Sequence, residues 1–238
     1  QVPTWRVWDV ESEEDLIEEF VRARGYNTVK LSLPPLDYEP PEDNALDSLM
    51  YALEPVLLGN GFTEVMTYSF SPPGDVALLE ELKPGSRAEY VQVVNALESK
   101  FSHLRTSNVV NLARLAEQNF RRGVNVVKVY EQGILYFLAD NEEGYVERDT
   151  ITLVAGGRWY ENEWKKAPGL EQVMRHVQGV LVSLFGALGN TLEFIPSKSE
   201  YLHPGKQAAC KVGRTTCGVC GVIHPKILEA VDCREQLV

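Results

Sequence analysis

The residues best suited to chemistry stand near the beginning of the chain. Asp9, Glu11, Glu13, Glu14, Asp15, Glu18 and Glu19 crowd one short stretch. Asp15, Glu18 and Glu19 fall at i, i+3 and i+4, so a helix would turn all three carboxylates to one face. Oxygen donors gathered in this way suit a hard cation, with Asp9 approaching from the preceding segment. The same residues also describe a solvated acidic helix start, where carboxylates favour the positive end of the dipole. Both readings stand on residue types alone. A second candidate is Cys217-x-x-Cys220, the spacing of a metal or redox pair. Cys210 and Cys233 are badly spaced to complete a four-ligand zinc site. The pair also lies in a predicted strand, so buried strand thiols are expected. His176 lies beside a helical apolar stripe, with no second ligand at suitable spacing. No serine–histidine or cysteine–histidine pair comes with an orienting acid. Catalytic and cofactor-contacting residues are therefore expected to be none.

Around these residues the elements read as follows. Ser12 and Asp15 form a capping-box pattern before a helix from about Glu13 to Arg24, which Gly25 ends. Leu16, Ile17, Phe20 and Val21 form its buried stripe. Pro34, Pro35, Pro40 and Pro41 make a stiff linker, which places a domain boundary between residues 1–35 and 36–238. Asp43 or Asn44 caps a second helix with the stripe Leu46, Leu49, Met50, Leu53 and Leu57. Pro55 is expected to kink it or divide it in two. Asn60-Gly61 ends that helix, and 62–70 alternates as a strand. A short helix over 74–82 and a strand over 90–94 come next.

The stretch 95–137 organises the rest. Thr106 or Ser107 can cap a helix whose stripe is Val109, Leu112, Ala113, Ala116 and Phe120. Gly123 follows as its left-handed end. A strand over 124–130 is expected to turn at Gln132-Gly133 into a second strand over 134–137. Asn141 to Gly144 reads as a hairpin turn and 151–155 as a strand, followed by the Gly156-Gly157 pair. That pair lacks the spacing of a phosphate-binding loop. Pro168 to Gly189 is the longest predicted helix, with Gly179 permitting a close crossing. A strand over 191–196, a turn at 202–205, two strands around Gly213 and a helix starting at Pro225 complete the chain.

Composition narrows the function classes. A formal net charge of −11 opposes a sequence-independent grip on a phosphate backbone. No apolar run approaches the roughly 18–20 residues of a membrane span, and Gln1 opens no signal-peptide pattern. Four cysteines in 238 residues make no disulfide framework, which points to a reducing, cytoplasmic setting.

Several of these motifs together resemble the β subunit of bacterial phenylalanyl-tRNA synthetase. They are Leu104-Arg105-Thr106-Ser107, Arg122-Gly123-Val124, Tyr130-Glu131-Gln132-Gly133, the Gly-Arg158 plus Trp164 segment, the His203-Pro204-Gly205 turn and Gly221-x-x-His224-Pro225. The helix–glycine–strand unit before them is similar to the first motif of class II synthetases, which builds subunit interfaces. The resemblance implies an α+β fold: a class II aminoacyl-tRNA synthetase-like antiparallel sheet flanked by helices, catalytically degenerate. Residues 1–35 are similar to the end of the module preceding that core. There the family binds Mg²⁺ at the boundary with the catalytic subunit, and its acidic positions fall on Asp9, Asp15, Glu18 and Glu19. One extra residue between Arg6 and Asp9 departs from the usual pattern. Leu170-Glu171-Gln172-Val173 departs from the family's run at that place. An excised piece of a longer chain is expected.

A class II active site also needs an arginine and a glutamate on the strand pair after the capped helix, to clamp ATP. Here Lys128-Val129-Tyr130-Glu131 has no arginine between Gly123 and Glu131. The resemblance therefore implies a non-catalytic subunit, inactive alone, paired with a catalytic α subunit in an (αβ)₂ heterotetramer. The partner would bind ATP, share Mg²⁺ and charge tRNA(Phe) with phenylalanine. Two alternatives are a self-sufficient ATP-dependent ligase and a regulatory or RNA-binding paralogue of the synthetase fold. ATP–pyrophosphate exchange by the chain alone would mark the first, and salt-sensitive tRNA binding the second.

Overall fold

The computed structural model describes residues 2–33, 44–140, 143–157 and 169–238. The proline-rich stretch 34–41, Asp43, Asn141, and the segment with Arg158, Trp159, Trp164 and Pro168 lie outside them. The chain divides into two compact units, Gln1–Asp43 and Asn44–Val238. No described helix is long and apolar enough to cross a membrane.

The first unit is a short 3₁₀ turn at Thr4–Arg6, helix α1 (Glu13–Arg24) and a second 3₁₀ turn at Tyr26–Thr28. The capping box is present: Ser12 Oγ accepts from Asp15 N, and Asp15 Oδ2 accepts from Ser12 N at 2.8 Å. Gly25 ends the helix at φ 94°. The expected burial of its stripe is corrected. Leu16, Ile17 and Phe20 are exposed and only Val21 is half-buried. A unit holding one α-helix has no second layer to cover an apolar face.

The second unit is α+β. Helices α2 (Ala45–Gly59), α3 (Pro73–Leu82), α4 (Val109–Arg121), α5 (Leu170–Ala187) and α6 (Pro225–Ala230) accompany eight strands. β1 (Thr63–Glu64), β4 (Val126–Leu138) and β5 (Tyr145–Gly157) form one sheet. β6 (Glu193–Pro196), β7 (Leu202–Val212) and β8 (Thr215–Ile223) form another, and β2 (Phe70–Ser71) pairs with β3 (His103–Leu104). The expected antiparallel sheet is thus a set of ladders, and β1 runs parallel to β4. Residues 237–238 close the gap between the larger two. Val238 exchanges both backbone bonds with Ala155, and Leu237 O accepts from Ile223 N.

The strand period sorts the core. Val127 and Val129 face α4 with Val154, while Tyr130 and Ala155 join the cluster of α2 and α5. Successive strand residues point to opposite faces, so helices cover both sides of this sheet. Leu112, Ala113 and Ala116 of α4 are fully buried, as their spacing predicts. The cap differs, because Asn108 occupies the N-cap position without a side-chain cap bond, and Ser107 Oγ accepts only from Val109 N.

Several further expectations are corrected by packing. α2 runs unbroken through Pro55, capped by Asn44, whose Oδ1 accepts from Leu46 N. Proline frees the carbonyl four residues earlier. That carbonyl belongs to exposed Tyr51, where solvent can take over. The predicted strand 62–70 survives only as β1 and β2 at its ends. The stretch 90–94 makes a single bridge, Gln92 to His103. Gln132-Gly133 is not a turn: β4 runs straight through it, and β5 returns from a hairpin closed by Ala139 N donating to Gly144 O. The turn predicted at 202–205 lies within β7, beside a register shift between Leu202 and Gln207. Gly179 faces open space rather than a crossing helix. Gly156 and Gly157 serve packing. A Cβ on Gly156 would stand 2.5 Å from Leu237, and one on Gly157 would strike Asn125 O.

Candidate functional site

The four predicted cation ligands sit on α1 and the turn before it, each engaged by its own neighbourhood. The Arg6 guanidinium holds Asp9, 2.9 Å from Oδ2, and Glu19, 2.5 Å from Oε1. Arg22 also pairs with Glu19. Arg6 keeps the Glu19 carboxyl below the usual carboxylate range, and Arg6 itself is held firmly protonated. Asp15 closes the capping box, accepting from the backbone N–H of Ser12 and Glu11, which holds its carboxyl low. Glu18 accepts from the Tyr26 hydroxyl at 3.1 Å. Among the described residues no three His, Cys, Asp or Glu side chains converge on one point. The donors are chemically right for Mg²⁺, and Asp9, Asp15 and Glu19 are each held by the partners just named.

A different polar centre lies buried in the second unit, and residue types alone did not single it out. Arg105 precedes α4 and is 2% exposed; Glu131 on β4 is 1% exposed. Arg105 Nη1 donates to Glu131 Oε1 at 2.7 Å and to Thr67 Oγ1 at 3.0 Å, while Nε donates to Ile134 O at 3.0 Å. Thr67 Oγ1 in turn donates to Glu131 Oε2 at 2.8 Å, and Thr67 N reaches Oε1 at 3.3 Å. The backbone fastens the same residues: Arg105 N donates to Ser69 O, and Tyr136 N donates to Arg105 O. Gly133 makes room for this arrangement, since a Cβ there would collide with Arg105 Nη2. That close approach, rather than a turn, is what the glycine serves. A charge pair with both carboxylate oxygens bonded is what low dielectric tolerates.

Thr67 points inward, so its neighbours Met66 and Tyr68 project the other way. They are 93% and 74% exposed. Tyr51 and Leu58 of α2 and Val94 and Leu97 of the loop before β3 are exposed large apolar side chains as well. Large uncovered apolar groups mark interaction surfaces. The Tyr68 ring meets Phe101 edge-on at 5.7 Å, which braces this segment against the loop.

The remaining sequence candidates fall elsewhere. Cys210 and Cys220 are buried, but Cys217 is exposed, contrary to the expectation of buried thiols. All four cysteines are free. His176 lies on α5, where burial and nearby Lys128 hold its imidazole below the ordinary value. His224 caps α6 through Nδ1, which accepts from Lys226 N at 3.2 Å.

Residues 30–238 match the sequence profile of the family described as the phenylalanyl tRNA synthetase beta chain CLM domain. The phenylalanine–tRNA ligase beta subunit of Listeria innocua is 27% identical over 240 residues, covering 100% of this chain and 29% of that protein. The subunit of the same name from Synechococcus sp. (strain JA-3-3Ab) is 30% identical over 242 residues, covering 99% and 28%. The chain thus spans less than a third of these curated relatives. Among solved structures, Desulfitobacterium hafniense PylSc, a pyrrolysyl tRNA synthetase, superposes with a TM-score of 0.65 at 16% identity. The match covers 94% of this chain and 71% of that one. At that identity the likeness speaks for the fold, which is shared with a tRNA synthetase.

Proposed function

The chain belongs to the phenylalanyl-tRNA synthetase beta chain CLM domain family, and from that membership we propose a scaffold function. It is the core of the β subunit of a phenylalanine–tRNA ligase, non-catalytic in itself, in a cytoplasmic (αβ)₂ assembly. Its work is to hold the catalytic α subunit in the geometry that charging of tRNA(Phe) requires. Positioning of this kind acts on the reaction without touching the reacting atoms.

The observation that carries this reading is the state of Glu131. A synthetase strand of this kind would offer its glutamate to a bound nucleotide. Here the carboxylate is 1% exposed and consumed by Arg105 and Thr67. Alongside the sealed centre, Met66 and Tyr68 stand uncovered, and they suit an apolar contact with the α subunit. ATP and phenylalanine are then left to the partner. The Mg²⁺ reading of Asp9, Asp15, Glu18 and Glu19 stays within the proposal. Asp9 and Glu19 would first have to leave Arg6, and Asp15 its backbone donors.

Co-expression of this chain with an α subunit from the same organism tests the scaffold. A stoichiometric complex by light scattering is expected, with aminoacylation only when both chains are present. Met66→Asp with Tyr68→Asp should dissociate it. A folded chain that ignores the α subunit would overturn the proposal. Salt-sensitive tRNA binding by that lone chain would favour the RNA-binding alternative.

A further inference from the structure

The β7–β8 hairpin gathers three thiols that the scaffold does not use. Cα partners run Ala208 to Cys220 and Cys210 to Gly218, then shift so that Lys211 faces Thr216. The shift is a β-bulge: Cys217 is the extra residue, and with Gly218 it opposes Cys210 alone. Cys210 and Cys220 are diagonal neighbours on one face. They share a small cluster with Leu192, packed against Met174, Leu181 and Phe185 of α5. Cys217 stands at the rim of the same hairpin, exposed, its Sγ 3.7 Å from Thr215 O.

We propose that these residues form a thiol relay, in which a low-molecular-weight disulfide of the glutathione type enters at Cys217 and leaves a reversible Cys210–Cys220 disulfide inside the hairpin. In the first step the Cys217 thiolate attacks one sulfur of the disulfide. That S–S bond breaks, one thiolate leaves, and a mixed disulfide forms at Cys217. In the second, Cys210 passes its proton to Cys220 and attacks Cys217 Sγ, which expels the second small thiolate. In the third, Cys220 gives that proton to solvent and attacks Cys210 Sγ, and Cys217 departs as thiolate. In sum the Cys210 thiol and the Cys220 thiolate lose one proton and two electrons, and the small disulfide is reduced to two thiolates.

Each sulfur suits its place. Cys217 is the thiol that solvent reaches, and attack requires access as well as a thiolate. Cys210 neighbours both others, with Cys220 on the diagonal of the ladder and Cys217 in the bulge opposite it. Its hydrogen bond to Cys220 and its burial push the Cys210 thiol up. The same bond, supported by Gln178, holds the Cys220 thiol down, against the effect of burial. Cys220 is therefore the base that frees Cys210 and the nucleophile of the last step. Cys217 and Cys220, three residues apart along one extended strand, are separated by roughly 10 Å of backbone. They can exchange only through Cys210.

The test treats the chain with oxidised glutathione, followed by acid quench, proteolysis and mass mapping of the linked peptides. A Cys210–Cys220 link without retained glutathione is expected, and dithiothreitol should reverse it. Cys217→Ser, at an exposed position that leaves the core intact, should slow the link about tenfold or more. Cys220→Ser removes both the base and the last nucleophile, so it should stop at glutathione held on Cys217. A stable glutathione adduct on Cys217 in the unaltered chain, with Cys210 and Cys220 still thiols, would overturn the relay. So would an unchanged rate in Cys217→Ser.

Discussion

Two arginine–carboxylate groupings in this chain have the same chemistry and opposite surroundings. Arg6 joins Asp9 and Glu19 at the surface of the first unit, three and thirteen residues away. Arg105 joins Glu131 in the interior of the second, 26 residues away, with Thr67 arriving from a third element. At the surface water competes for every hydrogen bond, so such a pair adds little and can be exchanged for another partner. In the interior neither charge has an alternative, and removal of one strands the other. The surface grouping is therefore the one that can respond to a ligand or a neighbouring subunit. The buried one can only hold its three elements together.

The sharpest way to break this contrast is Glu131→Ala. It leaves the Arg105 guanidinium buried without a counter-charge, and a loss of about 3–5 kcal/mol is expected in urea unfolding. Replacing both residues by apolar ones, as in Arg105→Met with Glu131→Leu, should recover most of that loss. A double variant as unstable as the single one would mean that the pair does more than neutralise itself. Arg6→Gln, by contrast, should leave the unfolding midpoint of the second unit in place.

A smaller effect is expected from Gly133→Ala. The added methyl meets the Arg105 guanidinium, and forced repacking costs about 1–3 kcal/mol. The penalty should shrink in an Arg105→Ala background, because residues in contact do not add. Equal penalties in both backgrounds would place the strain elsewhere.

The smallest effect belongs to the first unit. Ser12→Ala removes one half of the capping box and should cost α1 about 1 kcal/mol, read by hydrogen exchange of its amides. The other half is pH-dependent. The backbone N–H groups of Ser12 and Glu11 hold the Asp15 carboxyl below its ordinary 3.8. A carboxyl depressed on folding supports the helix above that value and loses its contribution as the pH falls below it. Protection of α1 should therefore decline under acid, starting near that value. Protection independent of pH down to its folded value would show that the bond seen here carries no weight.

How much of this was legible beforehand follows the same division. The bounds of α1, its capping box and Gly25 were readable because each lies within four residues of what it bonds. The stripe of α4 was readable for the same reason: helical period places Leu112, Ala113 and Ala116 on one side whatever they meet. The turn at Gln132-Gly133 was misread, since a glycine that spares room for a side chain elsewhere looks the same as one that reverses the chain. The divided strand over 62–70 failed because Thr67 leaves the ladder to serve Glu131, 64 residues on. The candidate site divided likewise. The acidic residues were visible as a cluster, but their partners were not.

By itself, then, the sequence determined where the helices lie, the bounds of α1, the family and the absence of an arginine beside Glu131, all of which rest on short-range pattern or on motif. Only the tertiary structure decided that Arg105 closes on Glu131, that residues 237–238 join the two larger sheets, and that a bulge brings Cys217 opposite Cys210. Those are pairings across long separations. Their free energy depends on burial and register, and neither exists until the chain has folded.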